Sequence, residues 1–220
     1  MHIGMIGGIG PAATDYYYRA LIRRAAAQEI DLECTIVHAD TPTLLGNMVE
    51  DRPDDQVAIY RRLTDRLAAA GAECVAVTSI SGHFCIDEFA AVSPLPVVDL
   101  LDELATELQT RSIARVGLLG TSTVMASRMY GRLAPTEVLV PQCDELDAVG
   151  AAYIEMATAG VGTSAHKAVF DRAIASMLDA GAETVLLGGT DLVLLFDEAS
   201  DPVLDCARVH VDALAALAAQ

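Results

Sequence analysis

The chain has 220 residues, of which 53% are hydrophobic and 20% charged, which excludes a disordered protein and allows one large domain or two small ones. Its formal net charge of −17 at pH 7 repels phosphate backbones and anionic lipid headgroups, so we expect no nucleic acid and no membrane among its partners. The five cysteines are dispersed and form no CxxC pair, which predicts a reduced protein with no metal site. The sequence shows no long apolar run and no basic leader, so we expect a cytoplasmic protein.

Short apolar runs alternate with helix-length segments along the chain, and this alternation predicts an α/β fold with βα units around parallel sheets. The predicted strands are His2–Ile6, Glu33–Ala39, Glu73–Val77, Leu95–Val98, Arg115–Leu119, Glu137–Val140, Glu183–Leu187 and Pro202–Leu204. The predicted helices are Ala12–Ala27, Asp54–Ala70, Leu100–Gln109, Ala148–Ala157, His166–Ala180 and Cys206–Ala218.

Three segments of the first half return in the same order in the second half. The pairs are Ile3–Gly7 with Val116–Gly120, Leu67–Val75 with Leu178–Val185, and Pro96–Asp99 with Pro202–Asp205. Their offsets are nearly constant, which indicates a duplication. We therefore predict two pseudo-symmetric α/β lobes, 1–112 and 113–220, with the last helix able to cross over to the first lobe.

Four loops rich in Gly, Ser and Thr follow predicted strands, where ligands bind in open parallel sheets. They are Gly7–Gly10, Thr78–His83, Gly120–Thr123 and Gly188–Asp191. Backbone N–H groups and hydroxyls in such loops suit a carboxylate or a phosphate. Two facing lobes would bring these loops to one cleft, so we expect a small anionic metabolite to bind there. The first loop lacks the GxGxxG spacing of a dinucleotide site, and we predict no cofactor.

At these loops the sequence resembles the aspartate/glutamate racemase superfamily over the whole chain. The resemblance rests on the opening Gly7-Gly8-Ile9-Gly10-Pro11, on Gly117–Thr121, on the two Gly-Ala-Glu turns, and on the closing Asp205 to His210. It implies a cofactor-independent racemase in which two cysteines, one on each face, remove and return the α-proton of an amino acid. It also implies a homodimer.

Both cysteine positions of that resemblance are substituted. The first motif, usually Cys-Asn-Thr-x-His, reads Ser79-Ile80-Ser81-Gly82-His83, and the second, usually Gly-Cys-Thr-Glu, reads Gly188-Gly189-Thr190-Asp191. The duplication supports this alignment independently, because Ser79 and Gly189 each follow their turn glycine by eight residues. A serine is a far weaker acid than a thiol and glycine has no side chain, so the thiol pair cannot operate.

Other residues could carry the acid/base chemistry in place of the thiols. The candidates are Ser79, His83, Asp191 and Cys85, whose thiol pKa we expect a helix N-terminus to lower. Capping or packing roles remain open for His83, Cys85 and Asp191.

Few cations are available to bind an anion, because the chain has 14 of them and Lys167 is its one lysine. The resemblance implies carboxylate contacts from Arg52 and Lys167, with plain surface charge as the alternative. The remaining predicted binding residues are Gly8, Ser81, Thr121, Thr123, Gly189 and Thr190.

The predicted function is therefore an isomerase acting at Cα of a small amino acid or dicarboxylate with a non-standard acid/base set. Two alternatives stay open. One is a decarboxylase, lyase or isomerase with a single acid/base group, and the other is a catalytically inactive protein that binds and regulates.

Overall fold

A computed structural model describes residues 1–196 and 202–219. The chain forms two compact units, Met1–Leu100 with His210–Gln220, and Leu101–Val209. The predicted lobes, 1–112 and 113–220, stay a prediction, because compactness in space does not by itself define a folding domain.

The first unit is built on a three-stranded parallel sheet. Its strands are β1 (His2–Gly7), β2 (Glu33–His38) and β3 (Cys74–Val77), in the order β2-β1-β3. Its helical segments are α1 (Pro11–Ala27), α2 (Thr41–Val49), α3 (Pro53–Ala69), a 3₁₀ turn (Ile80–Cys85) and α4 (Ile86–Val92). The central strand is buried from Ile3 to Gly7, so that its carboxyl end opens into the first glycine loop.

The second unit has a four-stranded parallel sheet. Its strands are β4 (Arg115–Gly120), β5 (Glu137–Leu139), β6 (Thr184–Gly188) and β7 (Val203–Asp205), in the order β5-β4-β6-β7. Its helical segments are α5 (Leu100–Thr110), which begins at the unit boundary, α6 (Ser122–Ala126), two 3₁₀ turns (Met129–Gly131, Thr190–Leu194), α7 (Cys143–Ala159), α8 (Ser164–Asp179) and the start of α9 (Cys206–Ala218).

The order β2-β1-β3 matches the order β5-β4-β6, to which the second sheet adds β7, and the prediction of an α/β fold with two parallel sheets is confirmed. Gly4 of β1 pairs with Val75, and Gly117 of β4 pairs with Val185, as the repeated segments require. A Cβ on Gly4 would lie 2.9 Å from the Cys74 carbonyl oxygen, and one on Gly117 would lie 3.0 Å from Met177 Sδ. Both central strands therefore need glycine, because a neighbouring strand or helix packs directly against the backbone.

The predicted strand Leu95–Val98 is wrong. Val97 makes only an isolated parallel bridge to Val75, at the place that β7 takes in the second sheet. The Val75 amide still donates to the Pro96 carbonyl at 2.9 Å. Pro94 and Pro96 have no N–H of their own, so this segment cannot sustain a full ladder.

Several short helices were absent from the sequence prediction. The segment after β2, for which no helix was predicted, forms α2, whose N-terminus is capped by the Asp40 carboxylate accepting from the Thr43 amide at 3.0 Å. Such segments are too short to show a hydrophobic period, and their formation depends on caps and packing. None of the helices in residues 1–196 and 202–219 is long and apolar enough to cross a membrane.

Candidate active site

Ser79 and Gly189 occupy equivalent places at the ends of β3 and β6. Their backbone angles are nearly the same, with φ −136° and ψ 127° for Ser79, and φ −138° and ψ 113° for Gly189. Each carbonyl accepts from the amide three residues on, Gly82 at 3.1 Å and Leu192 at 2.9 Å, and each residue starts a 3₁₀ turn. The duplication thus extends from the sequence to the backbone conformation of Ser79 and Gly189.

In the first unit, the segment that follows the carboxyl end of β3 holds a buried histidine in a defined orientation. We call such a segment the exit of its strand. Ser79, Ser81 and His83 are all buried, with no more than 5% of each exposed. His83 Nδ1 lies 2.7 Å from the Ser79 carbonyl oxygen. A carbonyl can only accept, so Nδ1 carries the hydrogen in the neutral ring and the lone pair lies on Nε2.

A second histidine, His210 of α9, packs behind this group. Its Nε2 donates to the Val98 carbonyl at 2.9 Å, its Nδ1 accepts from the Tyr17 hydroxyl at 3.0 Å, and its ring lies 6.3 Å from that of His83. Burial, with a smaller contribution from His83, lowers the pKa of His210 to about 3. His210 is therefore a neutral structural group, and together with Tyr17 it anchors the last helix to α1.

The expectation of a lowered pKa at Cys85 is wrong. Cys85 is fully buried, and its Sγ lies 4.0 Å from the Gly82 carbonyl oxygen. Burial, with the nearby Glu88 carboxylate, raises the pKa of this thiol to about 12. The apolar surroundings outweigh any helix-terminus effect, so Cys85 stays a thiol at neutral pH.

Gly8, in the loop after β1, is required by close packing. A Cβ there would lie 2.7 Å from Leu44 Cδ1 and 2.8 Å from the Ala39 carbonyl oxygen. The Gly8 carbonyl accepts from the Thr41 hydroxyl at the start of α2. The glycine thus fixes the turn between β1 and α1 against α2.

In the second unit, a tyrosine fills the space beside Gly189. A Cβ on Gly189 would lie 2.3 Å from Tyr153 Cε2 and 2.8 Å from the Tyr153 hydroxyl oxygen. That hydroxyl donates to Asp191 Oδ2 at 3.2 Å. Burial raises the pKa of Asp191 and, together with the Asp191 charge, raises that of Tyr153 well above its ordinary value.

Thr190 and the thiol of Cys206 complete this buried group. Thr190 is 1% exposed, and its Oγ1 has no hydrogen-bond partner among the described residues. Cys206 begins α9, and burial together with Asp205 and Asp191 raises the pKa of its thiol well above the ordinary value. The Tyr153 phenol and the Cys206 thiol at the exit of β6 are therefore protonated at neutral pH, and the Asp191 carboxyl takes up a proton more readily than usual.

The two threonines after β4 differ in exposure. Thr121 caps α6, since its Oγ1 accepts from the Val124 amide at 3.2 Å, and Thr123 is exposed on the same short helix. A capping threonine still presents backbone N–H groups at the helix start, so its binding role stays a prediction.

Arg52 and Lys167 both have acidic neighbours. Arg52 lies in the turn between α2 and α3, with ion pairs to Glu50 at 3.3 Å and Asp55 at 3.6 Å. Lys167, in the first turns of α8, pairs with Asp171 and lies 4.3 Å from the centre of the Phe196 ring. Both cations are partly exposed, so a substrate carboxylate could replace these weak surface pairs.

Tyr153 and Tyr17 were not among the site residues predicted from sequence, and His210, which the closing motif contains, is the hydrogen-bond partner of Tyr17. A missing side chain at position 189 signals that another group fills its space, but α7 lies far from it in the chain. In the described ranges, 1–196 and 202–219, no cluster of three or more His, Cys, Asp or Glu could hold a metal ion.

Comparison with known proteins assigns the fold to a family. Residues 6–214 match the sequence model of the Asp/Glu/Hydantoin racemase family. The chain belongs to this family. That Ser79 and Gly189 stand at the cysteine positions of the family stays a prediction.

Solved structures share this racemase fold. An aspartate racemase homologue from Pyrococcus horikoshii is 27% identical with a TM-score of 0.83, over 100% of this chain and 99% of that one. An Asp/Glu racemase candidate from Yersinia pestis is 26% identical with a TM-score of 0.88, over the same shares. The aspartate racemase of Picrophilus torridus, at 18% identity, has a TM-score of 0.74 over 99% of this chain and 94% of that one.

Proposed function

We propose that this racemase-family protein is a cofactor-independent isomerase that moves the α-proton of a small amino acid or dicarboxylate without a thiol pair. The observation that carries the proposal is the matched backbone at Ser79 and Gly189, each an extended residue followed by a 3₁₀ turn. This match supports the proposal, because the resemblance implies one proton-transfer group at each of these two positions.

His83 is the proposed base of the first unit. Its Nδ1–H bond to the Ser79 carbonyl fixes the ring, and the lone pair on Nε2 can accept a proton. Ser79 and Ser81 supply hydroxyls beside it, and the amides of this exit and of the Gly8 loop suit the α-carboxylate. Asp191 is the proposed acid of the second unit.

The proposed cationic contacts are Arg52 and Lys167, with Thr121, Thr123, Gly189 and Thr190 as polar contacts. In a protein of net charge −17, an anion binds only where cations gather locally. Displacing the exposed Glu50, Asp55 and Asp171 from these cations would cost little, because such pairs contribute roughly 0–1 kcal/mol each.

The test is a thermal-shift screen of amino acids and dicarboxylates, followed by ¹H NMR of α-deuterium uptake in D₂O for each acid that binds. We expect stabilisation by at least one small acid and loss of its α-proton signal. A matched control is His83→Gln, which should keep binding and lose uptake. Binding of no acid in the screen, or binding without uptake, would contradict the proposal.

One observation favours a second function, a decarboxylase, lyase or isomerase with a single acid/base group. The residue at the duplicated position of His83 is Val193, so the two exits are chemically unequal. Deuterium uptake with complete retention of configuration would support that function. A cytoplasmic location and a homodimer stay predictions.

A further inference from the structure

The space that a side chain at position 189 would need is filled by a phenol. The ring of Tyr153, a residue of α7, lies over Gly189, with Cε2 2.3 Å and the hydroxyl oxygen 2.8 Å from where a Cβ would be. At the neighbouring Gly188 the corresponding atoms are apolar, Leu118 Cδ1 at 2.5 Å and Met129 Cε at 2.8 Å. Only at position 189 of this pair does the packing bring an ionisable oxygen to the strand exit.

This phenol is linked to a second proton-bearing group. The Tyr153 hydroxyl donates to Asp191 Oδ2 at 3.2 Å, and both residues are at most 5% exposed. Burial raises the pKa of each, so the phenol is protonated at neutral pH and the carboxyl takes up a proton more readily than usual. A protonated phenol beside a carboxyl is suited to donate a proton rather than to remove one.

The residue between Gly189 and Asp191 supplies independent evidence of a ligand. Thr190 is 1% exposed, yet its hydroxyl finds no hydrogen-bond partner in the parts of the chain that the structure describes. A buried hydroxyl without a partner is costly in free energy, and a bound polar molecule would satisfy it.

We propose that Tyr153, backed by Asp191, replaces the missing thiol at position 189 as the proton donor to the substrate. The inference rests on the proposed function, since it needs a carbanion at Cα. After the base has taken the α-proton, the Tyr153 O–H bond breaks and a C–H bond forms at Cα. The phenolate then takes the proton of the Asp191 carboxyl, and the Asp191 carboxylate recovers one from water. The hydroxide that this leaves takes the former α-proton from the protonated base, so that every group returns to its starting state.

The first test is Tyr153→Phe, which keeps the ring over Gly189 and removes the hydroxyl. We expect kcat for α-deuterium uptake to fall about 100-fold, the usual range for a lost acid or base, with KM changed much less. Tyr18→Phe, a change on the exposed side of α1, is the control and should leave both constants unchanged. A Tyr153→Phe enzyme with wild-type kcat would overturn the inference while leaving the proposed function standing.

The second test replaces the phenol of Tyr153 by a thiol at position 189. Gly189→Cys alone should lose activity, because the new side chain collides with the ring. Gly189→Cys combined with Tyr153→Ala makes room for a thiol and should restore uptake in a form that iodoacetamide abolishes. Asp191→Asn, which keeps a hydrogen-bonding group beside the phenol, should shift the acidic limb of the kcat pH profile.

The outcomes separate the two proposals. A folded double variant that stays inactive, or an Asp191→Asn enzyme with an unchanged pH profile, overturns the role of the Tyr153–Asp191 pair. A wild-type protein that binds acids but shows no uptake overturns the proposed function itself. Circular dichroism melting of each variant distinguishes lost chemistry from lost folding.

Discussion

The packing around Gly189 leaves no room for a side chain at this position. A Cβ there would meet the Tyr153 ring at 2.3 Å, and the ring, only 4% exposed, has little space into which to withdraw. We expect Gly189→Ala to lower the free energy of unfolding by about 1–3 kcal/mol, the usual cost of overpacking. Urea denaturation measures this difference.

The matched control for that substitution is Gly46→Ala in α2. The nearest atom to its Cβ is Arg52 Nη2 at 3.8 Å, and the position is helical, so alanine should be neutral or stabilise by about 0.5–1 kcal/mol. If both alanines had the same effect, the proposed collision at Gly189 would not exist.

His210 makes stability depend on pH. Its pKa in the folded state is about 3, against an ordinary 6.5, so the unfolded chain binds a proton between these values that the folded chain does not. Its contribution is complete above pH 6.5 and is lost as the pH falls toward 3. Between pH 7 and 5 we expect the free energy of unfolding to drop by about 2 kcal/mol from this residue.

Urea unfolding of the wild type and of His210→Gln at both pH values tests this dependence. The glutamine has no titrating ring, so the variant should be less stable at pH 7 but lose less on acidification. A variant with the same loss as the wild type would show that other groups cause it.

Helix α8 depends on a cap at its first turn. The Thr163 hydroxyl accepts from the His166 amide at 3.2 Å, and His166 Nδ1 accepts from the Thr163 amide at 3.3 Å. We expect Thr163→Ala to cost about 1 kcal/mol of stability in urea denaturation. The neighbouring, exposed Ser164→Ala makes no such bond and should change stability by less than about 0.5 kcal/mol.

Long elements with a buried face could be predicted from sequence, because hydrophobic period and turn residues determine them locally. Helix α9 is predicted with the bounds it has, and the Gly71 and Gly181 turns place β3 and β6 to within one residue. The apolar pattern of the segment 95–98 predicts a strand, but Pro94 before it and Pro96 within it remove the N–H groups that a full ladder needs.

The candidate site could be predicted only in part. Ser79 and Gly189 could be paired because each follows the turn glycine of its repeated segment by eight residues. The contact between Gly189 and Tyr153 could not be predicted, because Tyr153 lies 36 residues earlier in the chain and no sequence pattern links the two. The pKa of Cys85 was predicted in the wrong direction because its burial depends on packing from other elements.

The molecule as a whole carries an excess of negative charge. A formal net charge of −17 makes the folded state repel itself, and salt weakens that repulsion. Salt also weakens exposed pairs such as Arg111–Glu107, but each of these contributes little. We expect the thermal midpoint to rise when NaCl is raised from about 20 to about 200 mM, where the Debye length shortens markedly.

Differential scanning calorimetry at constant pH measures that midpoint, and choline chloride at equal ionic strength separates screening from sodium binding. A midpoint that falls with salt would mean that the surface ion pairs outweigh the net repulsion.

The central claim is proton transfer at Cα by a racemase scaffold that has no thiol pair. Its most direct measurement is α-deuterium uptake by a bound small acid, followed by ¹H NMR in D₂O before and after treatment of the enzyme with iodoacetamide. Cys85 and Cys206 are buried and protonated, and Cys143 is exposed but lies away from both strand exits in the chain. We predict uptake at the same rate in both samples; no uptake, or uptake that alkylation abolishes, would contradict the claim.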